Sequence, residues 1–341
     1  MSLLPSPLAI YALTPDGLRL ARTIRDGLGG QVFAPEHMAG SGETGFAGLC
    51  QTVAQTWNRF PGHVLVGPVG VAVRCAAPLL RDKGSDPALV AVDQAGQFAV
   101  SVLSGHLGGA NRLARELARV TGAQAVVTTG TDSAGLPAVD ELAAGLGMRL
   151  PDLDAAKRVG AALLAGETVQ LHDPDHRLGL SGEELFTVTA PDAWNTARPG
   201  VWCDCRTAPE NACACYPACL HLGLGCRKGA SAEEILGLVD KALADHGLAK
   251  ESLAGLGTVE DKRDEPGLKR AALELGLEIH YFSRRELDGV AVPNPSETVR
   301  KHLGVDSVCE AAAMLLARTD QLLIPKTKSD AATVAAACSR P

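Results

Sequence analysis

Aromatic residues are scarce in this sequence of 341 residues, at 4% of the composition. Single-stranded nucleic acid is bound on aromatic side chains that stack with the bases, so the scarcity argues against a platform of that kind. Positive charge is also in deficit, because 32 Lys and Arg face 39 Asp and Glu and leave a net charge of −7. The chain therefore has no general attraction to nucleic acid or to anionic membranes. An anionic ligand would have to be held by local Arg, Lys and helix N-termini.

Long apolar runs are missing as well. No segment approaches the length needed to cross a bilayer, and the N-terminal residues lack the basic and apolar regions of a secretory signal. We therefore expect a cytoplasmic protein with no membrane contact. In that compartment the ten cysteines are expected to be mostly thiols or metal ligands rather than disulfides.

Signs of nucleotide binding are missing too, since none of the loops at residues 67–70, 104–109 and 128–133 has a G-x-G-x-x-G spacing and the sequence has no P-loop. What it does contain is enough apolar residues for sizeable cores, 46% of the chain, and an alternation of strand and helix patterns. The alternation predicts an α/β fold with a mostly parallel sheet in an N-terminal domain, residues 1–148. Residues 149–216 are predicted to form a small, loop-rich middle domain, and residues 217–341 a second α/β domain.

The segment 98–121 has the clearest functional pattern. A predicted strand at residues 98–103 runs into a glycine-rich loop at 104–109 and then into an amphipathic helix. Such a turn leaves backbone N–H groups directed at whatever lies above the sheet, which favours an anion. His106 adds a titratable group and Asn111 an amide donor. The alternative is a plain connection in which His106 only bonds the neighbouring turn.

Two further strand-end loops share this character, at residues 67–70 and 128–133. Open α/β sheets bind ligands in crevices at the carboxyl ends of their strands. Three polar or glycine-rich loops in one domain therefore predict a ligand site better than one loop does. A fourth strand–glycine–helix unit lies at 219–246, where Arg227 and Lys228 add positive charge and Ser231 with Glu234 predicts a capping box.

Four cysteines lie close together in the predicted middle domain: Cys203, Cys205, Cys213 and Cys215. Their number would suit Zn or an iron–sulfur cluster. The C-x-C spacing differs from the usual C-x-x-C pairs, so reduced thiols without a metal are the alternative.

Eight motifs occur in order along the chain, at residues 67–74, 82–87, 101–111, 128–132, 223–229, 261–267, 304–311 and 325–328. Together they resemble the cobalt-precorrin-5A hydrolases, the CbiG family of anaerobic cobalamin biosynthesis. The cysteine pairs at 203–215 are not a hallmark of that family.

The resemblance implies a reaction. The family opens the δ-lactone of cobalt-precorrin-5A and releases acetaldehyde, giving cobalt-precorrin-5B. Its substrate is an anionic cobalt-corrinoid that carries its own cobalt, so no resident metal or redox cofactor is expected. Transient contacts with neighbouring enzymes of the pathway are expected. A non-catalytic corrinoid-binding carrier of the same pathway is the alternative.

The resemblance also suggests roles for individual residues. His106 is the expected base, with a pKa lowered by the adjacent helix N-terminus so that the imidazole stays neutral. Asp132 would orient His106 or act as the base itself, although it could also only cap a helix. Asn111 and the backbone N–H groups of Gly108 and Gly109 would stabilise the oxyanion. The remaining expected substrate-binding residues are Arg74, Lys83, Ser104, Thr129, Arg227 and Lys228, of which Lys83 could equally be solvated.

Overall fold

A computed structural model describes residues 4–82, 85–106, 108–180 and 184–340. The chain forms two compact units, Met1–Gly145 with Leu163–Gly166, and Leu146–Ala162 with Glu167–Pro341. The three-domain division at residues 148 and 216 stays a prediction. Within the described ranges, no helix has both the length and the apolar character that a membrane span requires.

The first unit is built on a seven-stranded sheet. Its strands are β1 (Leu8–Ala12), β2 (Gln31–Pro35), β3 (Thr44–Phe46), β4 (Gly62–Val66), β5 (Ala88–Val92), β6 (Phe98–Leu103) and β7 (Gln124–Val126). Its helices are α1 (Pro15–Leu28), α2 (Leu49–Thr56), α3 (Val69–Ala76), α4 (Ala110–Thr121), α5 (Gly130–Ser133) and α6 (Val139–Gly145), and α7 (Leu153–Leu164) follows. The strand order is β3-β2-β1-β4-β5-β6-β7. Every described neighbour pair is parallel except β5 with β6, which confirms the mostly parallel sheet.

Helices cover both faces of this sheet. Strands β1, β4 and β5 are buried along their whole length, as expected for parallel strands packed on two sides. On one face, Leu18 of α1 and Leu113 of α4 pack against alternate strand residues. On the other face, Val53 of α2 and Ala72 of α3 pack against the residues between them. The two apolar layers fix the sheet as the scaffold of this unit.

The antiparallel β5–β6 pair reverses the direction of the last two strands. Strands β6 and β7 therefore end at the edge of the sheet where β4 and β5 begin. The loop at residues 67–70 follows β4 and lies at the opposite edge. The three strand-end loops consequently do not form one crevice, and only the loops at 104–109 and 128–133 lie at a common edge.

The second unit contains two sheets. Strands β8 (Val169–His172), β9 (Phe186–Val188), β10 (Gly200–Trp202) and β11 (Cys213–Ala214) form a parallel sheet in the order β11-β10-β8-β9. Strands β12 (Leu220–Cys226), β13 (Leu253–Val259), β14 (Ile279–Phe282), β15 (Ile324–Lys328) and β16 (Ala332–Cys338) form the other, in the order β14-β13-β12-β16-β15. The helices are α8 (Ala232–Asp245), α9 (Pro266–Leu275), α10 (Arg284–Asp288), α11 (Glu297–Leu303) and α12 (Val308–Ala317).

Close backbone packing holds α12 on the second sheet. A Cβ at Gly223, in the centre of β12, would lie 1.8 Å from the carbonyl oxygen of Cys309. Only glycine allows this approach. Strand β16 is antiparallel to both of its neighbours, so β12, β13 and β15 end at the same edge. That edge carries the basic loop at residues 225–229.

The cysteines are mostly thiols, as the sequence predicted. Cys50 and Cys75 form a disulfide in the first unit, and eight others are free.

Candidate functional site

His106 lies between two carboxylates at the end of β6. Its Nε2 is 3.4 Å from Oδ2 of Asp132, and its Nδ1 is 3.4 Å from Oδ2 of Asp140. The hydroxyl of Thr131 is 3.3 Å from the same Nε2. Asp132 and Thr131 lie in α5, which follows β7, and Asp140 lies in α6. We call the group His106, Asp132 and Asp140, with the residues that bond them, the strand-end cluster.

The carboxylates control the protonation of His106. The hydrogen bond with Asp140, supported by Asp132, raises the pKa of His106 although partial burial acts against the charged form. The expected lowering of this pKa is therefore wrong, because two negative charges outweigh the effect of a nearby helix N-terminus. Burial alone would raise the pKa of Asp132, but the Thr129 hydroxyl and the Arg115 guanidinium outweigh it and lower that pKa. Asp132 is thus held as a carboxylate and is a weak base.

Asn111 is fully buried and holds the cluster together. Its amide nitrogen donates to the hydroxyl of Thr129 at 3.1 Å and to Asp132 at 3.0 Å. Its amide oxygen accepts from the hydroxyl of Ser101 at 2.8 Å. Both amide hydrogens are therefore used inside the protein, and neither is directed at a substrate oxyanion.

The loop that carries His106 is tightly folded on itself. A Cβ at Gly108 would lie 2.3 Å from the Cβ of Ser104, and Gly109 has a φ of +82°, so both positions favour glycine. The Gly109 N–H donates to the His106 carbonyl at 2.9 Å, and the Ser104 hydroxyl donates to the Asp86 carbonyl at 2.8 Å. Ser104 and Gly109 thus shape the loop through their own bonds.

A cation and a second acid complete the strand-end cluster. Arg115 of α4 forms ion pairs with Asp132 and, at 3.3 Å, with Glu141. Ligand atoms of His106, Asp132 and Glu141 all lie within 4.8 Å of one another, a spacing that could hold a divalent cation. A cation there would compete with Arg115 for both carboxylates.

A cavity of about 510 Å³ lies beside this loop in the first unit. Gly108, Asp86 and Arg59 contribute to its lining. Arg59 supplies a guanidinium at the same edge of the sheet. It follows α2 in no recognisable motif, so sequence analysis alone could not identify it.

A second, basic cavity lies in the second unit, at the edge where β12, β13 and β15 end. Its volume is about 460 Å³. Four cationic side chains line it: Arg227, Lys262, Lys326 and Lys328. Arg227 pairs with Glu234 at 3.0 Å and Lys262 with Glu265 at 3.2 Å. We call this the basic cavity.

Comparison with known proteins decides the family. Residues 51–132 match a family model described as Cobalamin synthesis G N-terminal, residues 137–221 one described as Cobalamin biosynthesis central region, and residues 220–337 one described as Cobalamin synthesis G C-terminus. The chain belongs to the CbiG family.

Relatives match over nearly the full length. The cobalt-precorrin-5A hydrolase of Salmonella typhimurium is 32% identical over 343 residues, which covers 97% of each chain. That of Priestia megaterium is 30% identical over 356 residues and covers 96% of this chain and 94% of the relative. A crystal structure described as a cobalamin biosynthesis protein G homologue from Sulfolobus solfataricus has a TM-score of 0.41 and 20% identity, covering 98% of both chains.

Two other predicted residues of this CbiG protein, Arg74 and Lys228, lie outside the strand-end cluster and outside the lining of the basic cavity. Arg74 is exposed in the last turn of α3, which follows β4 from the opposite edge of the sheet. Lys83 lies outside the described residues. Lys228 is exposed next to Arg227 and is not part of the lining of the basic cavity. Thr129 hydrogen-bonds Asp132 and is occupied within the strand-end cluster.

The predicted cysteine quartet is not gathered as a set. The structure places Cys205 with Cys219 and Cys338 instead, and their sulfur atoms all lie within 4.8 Å of one another. Cys213 and Cys215 lie in and just after β11 and are both buried.

Proposed function

We propose that this chain is a cobalt-precorrin-5A hydrolase that opens the substrate's δ-lactone and releases acetaldehyde. Two full-length relatives carry the name of that activity. The observation that carries the proposal in this chain is His106 between Asp132 and Asp140. An imidazole held by carboxylates is suited to accept a proton from an attacking water.

His106 is the proposed base. In its neutral form, Nδ1–H would donate to Asp140, which leaves Nε2 to accept the proton of a water molecule that attacks the lactone carbonyl. The positive charge that forms on the imidazole is then stabilised by Asp132 and Asp140. The same stabilisation of the charged imidazole raises the pKa of His106. It also means that the neutral, active form of His106 prevails only at a pH above this raised pKa.

Lactone opening leaves a hydroxyl on the extruded carbon and a new carboxylate on the macrocycle. Removal of the hydroxyl proton then breaks the bond between this carbon and the macrocycle, and acetaldehyde leaves. The electron pair passes into the conjugated macrocycle, which takes up a proton. One water is consumed per acetaldehyde, and no redox cofactor is needed.

The polar groups around His106 would hold the base and its partners in place. Asn111 fixes Asp132 and Thr129, so we assign it a positioning role rather than that of an oxyanion donor. Asp132 stays ionised and pairs with Nε2 of His106 once the imidazole has taken up the proton. The Gly108 N–H is still the proposed oxyanion donor of the loop, because the Gly109 N–H is used internally.

Several cations would bind the acetate and propionate groups of the corrinoid. In the first unit, Arg59 lines the cavity beside Gly108. In the second unit, Arg227, Lys262, Lys326 and Lys328 line the basic cavity. Exposed charge pairs contribute only about 0–1 kcal/mol each, so recognition of a polyanion requires several such contacts together. A cytoplasmic location and transient contact with neighbouring pathway enzymes belong to the same proposal.

The test compares two histidine variants in an acetaldehyde assay with cobalt-precorrin-5A. His106→Ala should reduce kcat by about 10²–10⁴-fold, the usual contribution of a general base. His37→Ala, which removes an exposed histidine of the same unit, should leave it unchanged. A His106→Ala protein that folds and turns over at the full rate would remove His106 from the base role.

A further inference from the structure

Three thiols from separate parts of the second unit converge on one point. The sulfur atoms of Cys205, Cys219 and Cys338 all lie within 4.8 Å of one another. Cys205 and Cys219 are buried, and Cys338 is partly exposed. The proposed hydrolysis uses none of these residues. We propose that these three cysteines form a thiolate site for a soft or borderline divalent cation, of which Zn²⁺ is the test case.

The distances between the three sulfur atoms suit a bound zinc ion. A Zn–S bond is about 2.3 Å long, so three thiolates around one zinc ion lie about 4 Å apart. The observed limit of 4.8 Å is within about 1 Å of this value. Three protein ligands leave a fourth position for water or another small ligand.

The backbone around the three thiols is fixed by regular hydrogen bonds. The Cys205 carbonyl accepts from the N–H of Ala249 at 2.8 Å. The Cys219 N–H donates to the Ser252 carbonyl at 3.0 Å, and its carbonyl accepts from the N–H of Ser339 at 2.9 Å. Cys338 is the last residue of β16 and pairs with Leu220 of β12. Each of the three cysteines is therefore held by backbone hydrogen bonds or by strand pairing, which favours a preorganised site.

The charge around the thiols is also suitable. Zinc with three thiolates carries one net negative charge. The guanidinium of Arg177, whose side chain is only 13% exposed, interacts electrostatically with Cys219 and Cys338. It also donates to the Ser339 carbonyl at 3.2 Å and pairs with Asp175. A partly buried cation beside the thiols would offset the charge of the loaded site.

The position of the site suggests its effect on the fold. Cys205 follows β10 of the four-stranded sheet, whereas Cys219 directly precedes β12 and Cys338 ends β16 of the five-stranded sheet. An ion bound to all three would cross-link the two sheets within the second unit. Binding releases the thiol protons as the three metal–sulfur bonds form, and it should stabilise that unit.

The experiment uses the full chain, reduced with a phosphine and stripped with a chelator. Zn²⁺ is titrated against a chromophoric chelator, and Co²⁺ is added in parallel to detect thiolate-to-metal charge transfer in the near ultraviolet. We expect one equivalent of Zn²⁺ per chain, a charge-transfer band with Co²⁺, and a higher apparent Tm with metal than without.

Two cysteine variants locate the site. Cys338→Ser should weaken Zn²⁺ binding by more than about 100-fold, since loss of an outer-shell partner alone costs about 10–100-fold. Cys213→Ala removes a buried cysteine outside the trio and should bind Zn²⁺ as the unaltered chain does. Loss of binding in Cys213→Ala with retention in Cys338→Ser would overturn the assignment.

The unaltered chain tests the site even where a variant does not fold. Absence of the Co²⁺ charge-transfer band in the reduced chain would contradict a thiolate site. So would a disulfide between two of the three cysteines that persists after reduction and excludes metal.

Discussion

Replacing Asn111 with alanine removes three hydrogen bonds from the strand-end cluster but leaves the side chains of His106, Asp132 and Asp140 chemically unchanged. The amide bonds Ser101, Thr129 and Asp132 from a fully buried position. If this amide positions Asp132, its removal must destabilise the first unit and loosen the partner of His106.

The size of the effect follows from the bonds lost. A neutral hydrogen bond contributes about 1 kcal/mol, and one to a charged group contributes about 1.5–3 kcal/mol. Asp132 keeps Arg115 and Thr129 as partners, so part of the charged bond is compensated. We therefore expect Asn111→Ala to lower the free energy of unfolding by about 2–4 kcal/mol. In a unit of this size that corresponds to a fall in Tm of about 5–15 °C.

Urea unfolding followed by circular dichroism measures this loss, with Asn58→Ala as the control. Asn58 is exposed, and its substitution should cost less than about 0.5 kcal/mol. An Asn111→Ala loss as small as that of the control would refute the positioning role of the buried amide.

Four further predictions address the proposed base, the stability of its ion pairs, the helix packing and the basic cavity. The kcat/KM of the enzyme should rise with pH as His106 loses its proton. Asp140→Asn should move this rise to lower pH, because Asp140 contributes most to the raised pKa of His106. A pH profile that is the same in this variant would contradict the pairing of His106 with Asp140. The same ion pairs should stabilise the fold fully below about pH 6.5 and lose that contribution as the pH rises through the raised pKa of His106, which a comparison of unfolding free energies with His106→Gln will show. Gly223→Ala should prevent stable folding of the second unit, because its Cβ would meet the Cys309 carbonyl at 1.8 Å. The control is Gly237→Ala in α8, whose Cβ meets nothing within 4 Å and which should stabilise the protein by about 0.5–1 kcal/mol. Equal thermal stability of the two variants would contradict this account of the packing. Lys328→Ala should raise KM for the corrinoid with little change in kcat. The control Lys241→Ala, at an exposed position of α8, should leave KM unchanged. Equal KM values for the two variants would exclude the basic cavity from substrate binding.

Strong local signals made much of the fold predictable. The capping box of Ser231 and Glu234 is confirmed at the start of α8, and the strand predicted at residues 98–103 is confirmed as β6 (Phe98–Leu103). These features depend on neighbours in sequence. Strands β10 and β11 have three and two residues, too short to show a periodicity, and were not predicted.

The direction of β6 determines which strand-end loops lie at the same edge of the sheet, and this direction could have been predicted from the sequence. Only residues 93–97 separate β5 from β6, whereas a parallel crossover needs about a dozen residues or more. A hairpin was therefore required, and it places the loop at 67–70 at the other edge. From the sequence alone Asp140 is only a helix cap or a surface charge, because its contact with His106 depends on how α6 packs.

Acetaldehyde released per protein chain tests catalysis most directly. Purified chain is incubated under anaerobic conditions with a large excess of cobalt-precorrin-5A, and the aldehyde is quantified over time. We expect many acetaldehyde molecules per chain. At most one per chain, or a stable complex with no aldehyde, would contradict catalysis and support a corrinoid carrier instead.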